Sequence, residues 1–247
     1  MRTRQNLAVL GLLSVIGLHA APARGQTVEE IVARHIAARG GYERLKAVQS
    51  LRIARTYGTF GANIPVVITK KRPALLRIDQ TLPNGRTAAR GVTPSVAWDQ
   101  SPDGTVTERS PEAAAEAREL DADFDGLLVD YAQKGHTLAY AGRERIAGVD
   151  THKLTISLAS GGTRTIYLDA GTYLERRQVG LMTLPQGNAR VEVVLTFSDY
   201  RDVGGLQFPF AIDEERNAFP AQTIAIYTDR IELDVPVDDA AFAKPAS

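Results

Sequence analysis

The sequence predicts a mainly β (α+β) protein, with about ten antiparallel strands in one large sheet and helices packed on one of its faces. Three observations predict it. After Leu51 apolar and polar residues alternate over most of the chain, the period of half-buried strands. Clusters of Gly, Asn, Asp and Pro separate the alternating runs at short intervals. Helical periodicity is confined to the start of the chain and to Pro111–Tyr131, so the regular βαβ rhythm of a parallel nucleotide-binding sheet is missing.

The first predicted helix opens at Thr27, three residues before Glu30, the capping-box spacing. Val28, Ile31, Val32, His35 and Ile36 then share one face, and Gly40-Gly41 ends the run. A second short helix runs near Tyr42–Val48, with Leu45 and Val48 as its apolar side. Strands follow at Leu51–Tyr57, Val66–Ile68, Leu75–Ile78 and Val96–Asp99, with turns at Pro83-Asn84-Gly85 and Pro102-Asp103-Gly104. Pro111-Glu112 and the Ala-rich stretch behind it start a helical insertion. Phe124, Leu127, Leu128 and Tyr131 give that insertion a second apolar patch, and Gly135 closes it. The strand pattern resumes at 137–144, 152–158, 164–169, 173–179, 190–200, 206–214 and 223–232. Turns at Asp150, Gly161-Gly162, Ala170-Gly171, Gln186-Gly187-Asn188 and Gly204-Gly205 punctuate it.

Composition narrows the chemistry. The chain has 247 residues, 44% of them hydrophobic, with 29 Lys+Arg against 29 Asp+Glu. Without Cys there is no disulfide framework, thiolate catalysis, Cys-ligated zinc or iron–sulfur cluster. Without a basic excess there is no generic nucleic-acid surface. Arg2 and Arg4, an uncharged run from Leu7 to Leu18, and small residues at Ala21–Gly25 read as a secretory signal peptide over residues 1–25. The apolar run is too short to span a bilayer. Cleavage near Ala23 to Gly25 leaves residues 26–247 as a single exported domain of net charge −3. No Cys follows the signal, so the expectation is a chain with no lipid anchor and no membrane span.

No constellation calls for a cofactor, metal or catalytic residue, and the expectation is a protein that is not an enzyme. Asp121, Asp123, Asp125 and Gly126 match the first half of a calcium loop, but its twelfth position, where a bidentate Glu belongs, is Ala132. His35, His136 and His152 stand apart in the sequence, without the spacing of a zinc site. There is no nucleophile elbow, phosphate-binding loop or dinucleotide glycine set.

The apolar stripes carry more information. Phe208 and Phe210 point to one face, as do Val193, Leu195 and Phe197 on another strand and Ile224 and Ile226 on a third. Tyr57, Trp98 and Leu128 add large apolar surface. For each of these residues core packing under the helices and lining of a ligand cavity are both open. Together they offer more apolar face than two short helical segments bury, which points to a hydrophobic ligand.

Six segments carry a resemblance. They are A-R-G-G-Y-E-R-L from Ala38, K-K-R-P-A-L-L-R-I from Lys70 and V-A-W-D from Val96. Further on come D-F-D-G-L-L-V-D-Y-A-Q-K-G-H from Asp123, I-Y-L-D-A-G-T-Y-L from Ile166 and F-S-D-Y-R-D-V-G-G-L-Q-F-P-F from Phe197. In this order the chain resembles the periplasmic outer-membrane lipoprotein-sorting proteins of the LolA/LolB-like superfamily, from about Thr27 to Phe242. The resemblance implies an unclosed antiparallel β-barrel with helices covering its concave face. In LolA and LolB that hollow holds lipoprotein acyl chains. By resemblance the chain is a soluble periplasmic carrier or binding protein for a hydrophobic ligand, a lipid or lipoprotein acyl chains. The alternative is an envelope protein-interaction or stress-sensing module with a protein partner and no transported ligand. The sequence departs from LolB in lacking a lipidation Cys.

Overall fold

A computed structural model describes residues 26–246 except 60, 184–189 and 219. The signal segment and the turn at Gln186–Asn188 therefore lie outside the described residues.

Helix α1 (Val28–Ala38) begins with the predicted capping box: Thr27 Oγ1 accepts from the Glu30 amide at 3.2 Å, and the Glu30 carboxylate accepts from the Thr27 amide at 3.1 Å. Gly40 has φ +115°, and a side chain there would collide with the Gly205 carbonyl, so the glycine lets the chain turn tightly against the 203–206 hairpin. Helix α2 (Tyr42–Ala47) follows directly.

The strands are β1 (Ser50–Thr59), β2 (Ala62–Lys71), β3 (Leu75–Thr81), β4 (Thr87–Val92), β5 (Ala97–Gln100) and β6 (Val106–Glu108). After helix α3 (Pro111–Leu120) come β7 (Thr137–Ile146), β8 (Val149–Ser157), β9 (Thr163–Asp169) and β10 (Glu175–Thr183). The last are β11 (Arg190–Val203), β12 (Leu206–Arg216) and β13 (Gln222–Leu233). All thirteen form one antiparallel sheet in the order β6-β5-β4-β3-β2-β1-β13-β12-β11-β10-β9-β8-β7. The expected count of about ten is therefore too low. β4 reads Thr-Ala-Ala-Arg-Gly-Val, which has no clean alternation, and β6 has only 3 residues, too few to show a period.

The sheet is unclosed, with β6 and β7 as its free edges, and it curls. α3 demonstrates the curl. Its Ala114 and Ala117 pack with Val92 and Ala97 of β4 and β5. Its Glu116 accepts a hydrogen bond from Thr183 of β10 at 2.6 Å and faces Arg164 of β9 at 3.6 Å. β4 and β10 stand seven places apart in the sheet. In a flat sheet at about 4.8 Å per strand that is roughly 34 Å. A helix of ten residues spans only about 15 Å. Both walls reach one short helix because the sheet bends around it.

A second correction concerns Pro111–Tyr131. Only Pro111–Leu120 is helical, and residues 121–131 form a series of turns. Asp123 accepts from the Asp125 amide at 3.3 Å, while Gly126 and Asp130 take φ +89° and +53°, which no helix accommodates. Ion pairs fix these turns. Asp125 is bound by Arg72 and by Lys46 (2.8 Å), and Asp123 by Lys134 (2.8 Å). Burial alone would raise the Asp125 pKa, but the Arg72 and Lys46 hydrogen bonds outweigh it and hold the carboxyl below its ordinary value. The Asp123 and Asp125 carboxylates of the calcium-like stretch are thus directed at cationic side chains of the protein itself.

The inward face can be followed from strand to strand. Ile53 pairs across to Ile68 and Ile231, and Ile68 to Ile78. Tyr57 pairs with Ile226, Ile226 with Ile212 and Ile212 with Phe197. Leu195 pairs with Gln178, Gln178 with Ile166 and Ile166 with Leu154. Helices α1, α2 and α3 pack on this face: α1 buries Ile31 and Val32 against Leu154, Ile156, Ile166 and Leu168, and α2 buries Leu45 near Leu206.

Candidate ligand site

Four apolar clusters lie on the inward face, and they differ in what covers them. Those around Ile53, around Leu154 and around Leu45 each include residues of α1, α2 or α3. The fourth consists of Phe197, Ile212, Ile224 and Ile226, with Tyr57, Leu195 and Tyr200 packed against it. Every one of those side chains belongs to β1, β11, β12 or β13. Among the described residues no helix contributes a side chain to this cluster, and the buried Glu214, paired with Leu195 and Ile224, is the one carboxylate among its strand partners.

The sequence-predicted residues divide accordingly. Tyr57, Leu195, Phe197, Ile224 and Ile226 come together in the uncovered cluster. Val193 lies two residues from Leu195 on the same strand face, buried and paired with Gly180 and Arg216. Phe208 and Phe210 are half-buried against the Ile53 cluster, and the Arg201 guanidinium lies 4.5 Å from the Phe210 ring centre. Leu128 is buried under α1 with Leu154 and Ile156. Trp98 stands apart on the opposite face of the sheet, fully buried, with Nε1 donating to the Phe242 carbonyl at 3.1 Å. It anchors the C-terminal turn Asp239–Phe242.

Charged groups also face the interior, Arg55 beside this patch and Lys70 among the residues of the Ile53 cluster. Arg55 continues the inward series Leu51, Ile53, Arg55, Tyr57 and meets Thr228 on β13. Lys70 continues the series Val66, Ile68 on β2 and donates to the Asp123 carbonyl at 2.9 Å. Both side chains are only half-buried by surface exposure. Yet burial among protein atoms pushes the Lys70 pKa below its ordinary value, with Asp123 and Asp121 opposing and Arg55 and Arg39 assisting. Burial likewise raises the Glu175 carboxyl, against the pull of Arg39. Tyr200, whose hydroxyl donates to the Glu175 carbonyl at 2.9 Å, is raised by burial and then by Glu175. Lys70, Glu175 and Tyr200 thus combine partial accessibility with burial among protein atoms. Arg39, at the end of α1, acts on both Lys70 and Glu175, so one guanidinium bridges the two walls electrostatically.

Sequence reasoning passed over these polar residues. Their signal was a charge on an inward position of an alternating strand, which reads as a strand end when the next strand is unknown.

A separate cleft of about 310 Å³ opens between α3 and the β8–β9 turn, lined by Glu112, Glu116, Leu158, Ser160, Arg164 and Arg190 among others. The histidines are structural. His35 is buried against the Tyr173 carbonyl (2.9 Å), and burial, then Arg39, lowers its pKa to about 3. His152 stacks on Tyr173 with 5.4 Å between ring centres. Among the described residues, no group of three or more His, Asp or Glu is arranged to hold a metal ion. No described helix is long and apolar enough to cross a membrane.

Comparison with known proteins places this geometry. No family model matches the sequence, and no curated protein matches it either. Solved structures do match. A DUF1329 family protein from Desulfovibrio piger aligns over 87% of this chain and 97% of its own, at 14% identity and a TM-score of 0.60. A LolA superfamily protein from Nitrosomonas europaea aligns over 89% and 99%, at 12% identity and a TM-score of 0.60. A domain from Vibrio parahaemolyticus, described as an outer membrane lipoprotein-sorting protein domain, aligns over 86% and 94%, at 11% identity and 0.56. At these identities the agreement is one of architecture, and the chain is built on the LolA-like fold.

Proposed function

We propose that this protein is a soluble, non-catalytic carrier or binding protein for a hydrophobic ligand, a lipid or lipoprotein acyl chains, held against the inward face of the curled sheet. The observation that carries this reading is the cluster of Phe197, Ile212, Ile224 and Ile226, whose packing partners among the described residues all come from strands. Burying acyl chain there is favourable by about 0.8 kcal/mol per CH₂. α3, tied to both walls, acts as a lid. Residues 26–247 form the working domain, exported to the periplasm after removal of the leader. The fold shared with a lipoprotein-sorting domain supports this reading. Native mass spectrometry of protein isolated from the periplasm tests it. The expected result is a co-purified lipid released on unfolding; a bare protein that takes up no added lipid overturns it.

A second reading, an envelope interaction module, is favoured by one observation. β7 is a free edge of 10 residues, most of them exposed, with a ladder open to an added strand. A partner peptide that protects the β7 amides from exchange, without lipid, would select this reading.

A further inference from the structure

We propose that the ligand is an acyl chain with an anionic head group, and that Arg55 and Lys70 hold that head. This rests on the carrier reading and names the chemistry of its ligand. Arg55 stands on the border between the helix-covered core and the uncovered patch: Ile53 lies on one side of it along β1 and Tyr57 on the other. Its Nε donates to Thr228 Oγ1 at 3.2 Å, and this is the bond the guanidinium makes among the described residues. The planar fork is left with terminal N–H groups to offer, the geometry that takes a carboxylate or phosphate in two parallel hydrogen bonds.

Lys70 likewise keeps donors to spare among the described residues. It spends one hydrogen bond on the Asp123 carbonyl, while the Asp123 carboxylate is taken by Lys134. Arg55 and Arg39 both act on Lys70, and burial pushes the Glu175 carboxyl toward its neutral form. Asp121 is the remaining carboxylate acting on Lys70. Desolvated cations are costly without counter-charge. A bound anion supplies it, and the apolar row Tyr57, Ile226, Ile212, Phe197 receives the chain beside it.

Calorimetric titration with palmitate, hexadecyl phosphate and hexadecanol tests the inference, since the three share a chain and differ in the head. The expected result is that at least one anion binds tenfold or more tightly than hexadecanol. The tighter of the two identifies the head as carboxylate or phosphate. Arg55→Met should erase the preference and keep the affinity for hexadecanol, which also reports that the variant is folded. Lys70→Met should reduce the preference in the same way. Equal binding of all three by the native protein overturns the inference and leaves the carrier reading standing. So does an anion preference that survives both substitutions. If Arg55→Met loses all three ligands while Lys70→Met behaves like the native protein, Arg55 is structural and the inference falls. If the native protein binds none of the three, the carrier reading falls with it.

Discussion

Gly91 on β4 lies directly against the indole of Trp98 on β5, with no room for a methyl group between them. The pair sits on the outward face, where Trp98 also holds the C-terminal turn through the Phe242 carbonyl. Gly91→Ala must displace a ring that is fully buried. Overpacking of this kind costs about 1–3 kcal/mol. Urea denaturation should show a lower midpoint for Gly91→Ala with an unchanged slope. Because the site is on the far face, binding of an apolar ligand should survive the substitution.

Asp125 joins β2–β3 and α2 to the turn segment at 121–131. It binds Arg72 and Lys46, its side chain is 5% exposed, and Arg72 also lies 4.4 Å from the Phe124 ring centre. Asp125→Ala leaves the Arg72 guanidinium half-buried without its partner. Removing one member of such a pair costs about 3–5 kcal/mol. Thermal melting should show a large loss for Asp125→Ala and a much smaller one for Asp150→Ala, whose pair with Arg145 is exposed.

The acid limb of stability should carry the mark of His35. Its folded pKa is lowered from 6.5 to about 3, so the unfolded chain binds a proton that the native protein refuses. The stability that neutral His35 contributes is intact above about pH 6.5 and is lost as pH falls toward 3. For one proton the slope is about 1.4 kcal/mol per pH unit. Denaturation between pH 7 and 4 should show native stability falling, and His35→Gln should reduce the slope by one proton. An unchanged slope in the variant would mean that His35 is protonated in the folded state.

Leu195 is half-buried on the uncovered patch, so a charge there meets the ligand before it meets the core. Leu195→Lys should weaken binding of a fluorescent apolar probe at least tenfold while moving the melting temperature little. Val193→Ala, at a buried neighbour, should do the reverse.

How much of this could be read from the sequence depends on the range of each interaction. The α1 capping box is local, set by Thr27 and Glu30 alone, and it was legible. The stripes Leu195–Phe197 and Ile224–Ile226 were legible as faces, because alternation is a property of one strand. Which face each stripe shares with another depends on register, and register places Tyr57 beside Ile226 and Phe197 in reach of Ile212. Trp98 shows the limit. It looks like ligand-binding surface until the pairing of β4 with β5 puts Ala97 inward and therefore Trp98 outward. Arg55 and Lys70 were illegible as a pair because β1 and β2 are joined by a hairpin that sets them rows apart. Arg39, which acts on Lys70, comes from α1, further still in the sequence.

The open ladder has a mechanical consequence. In a closed barrel, strand number and stagger fix the radius. Here the ladder stops at β6 and β7, and among the described residues no backbone hydrogen bond forms a hoop. Widening the trough asks only that side-chain fastenings such as Glu116–Thr183 let go. On the proposed carrier reading the sheet is a cuff with a buckle, one that fits guests of different girth. Its selectivity then belongs to the chemistry of the inner wall, and its release to the fastening.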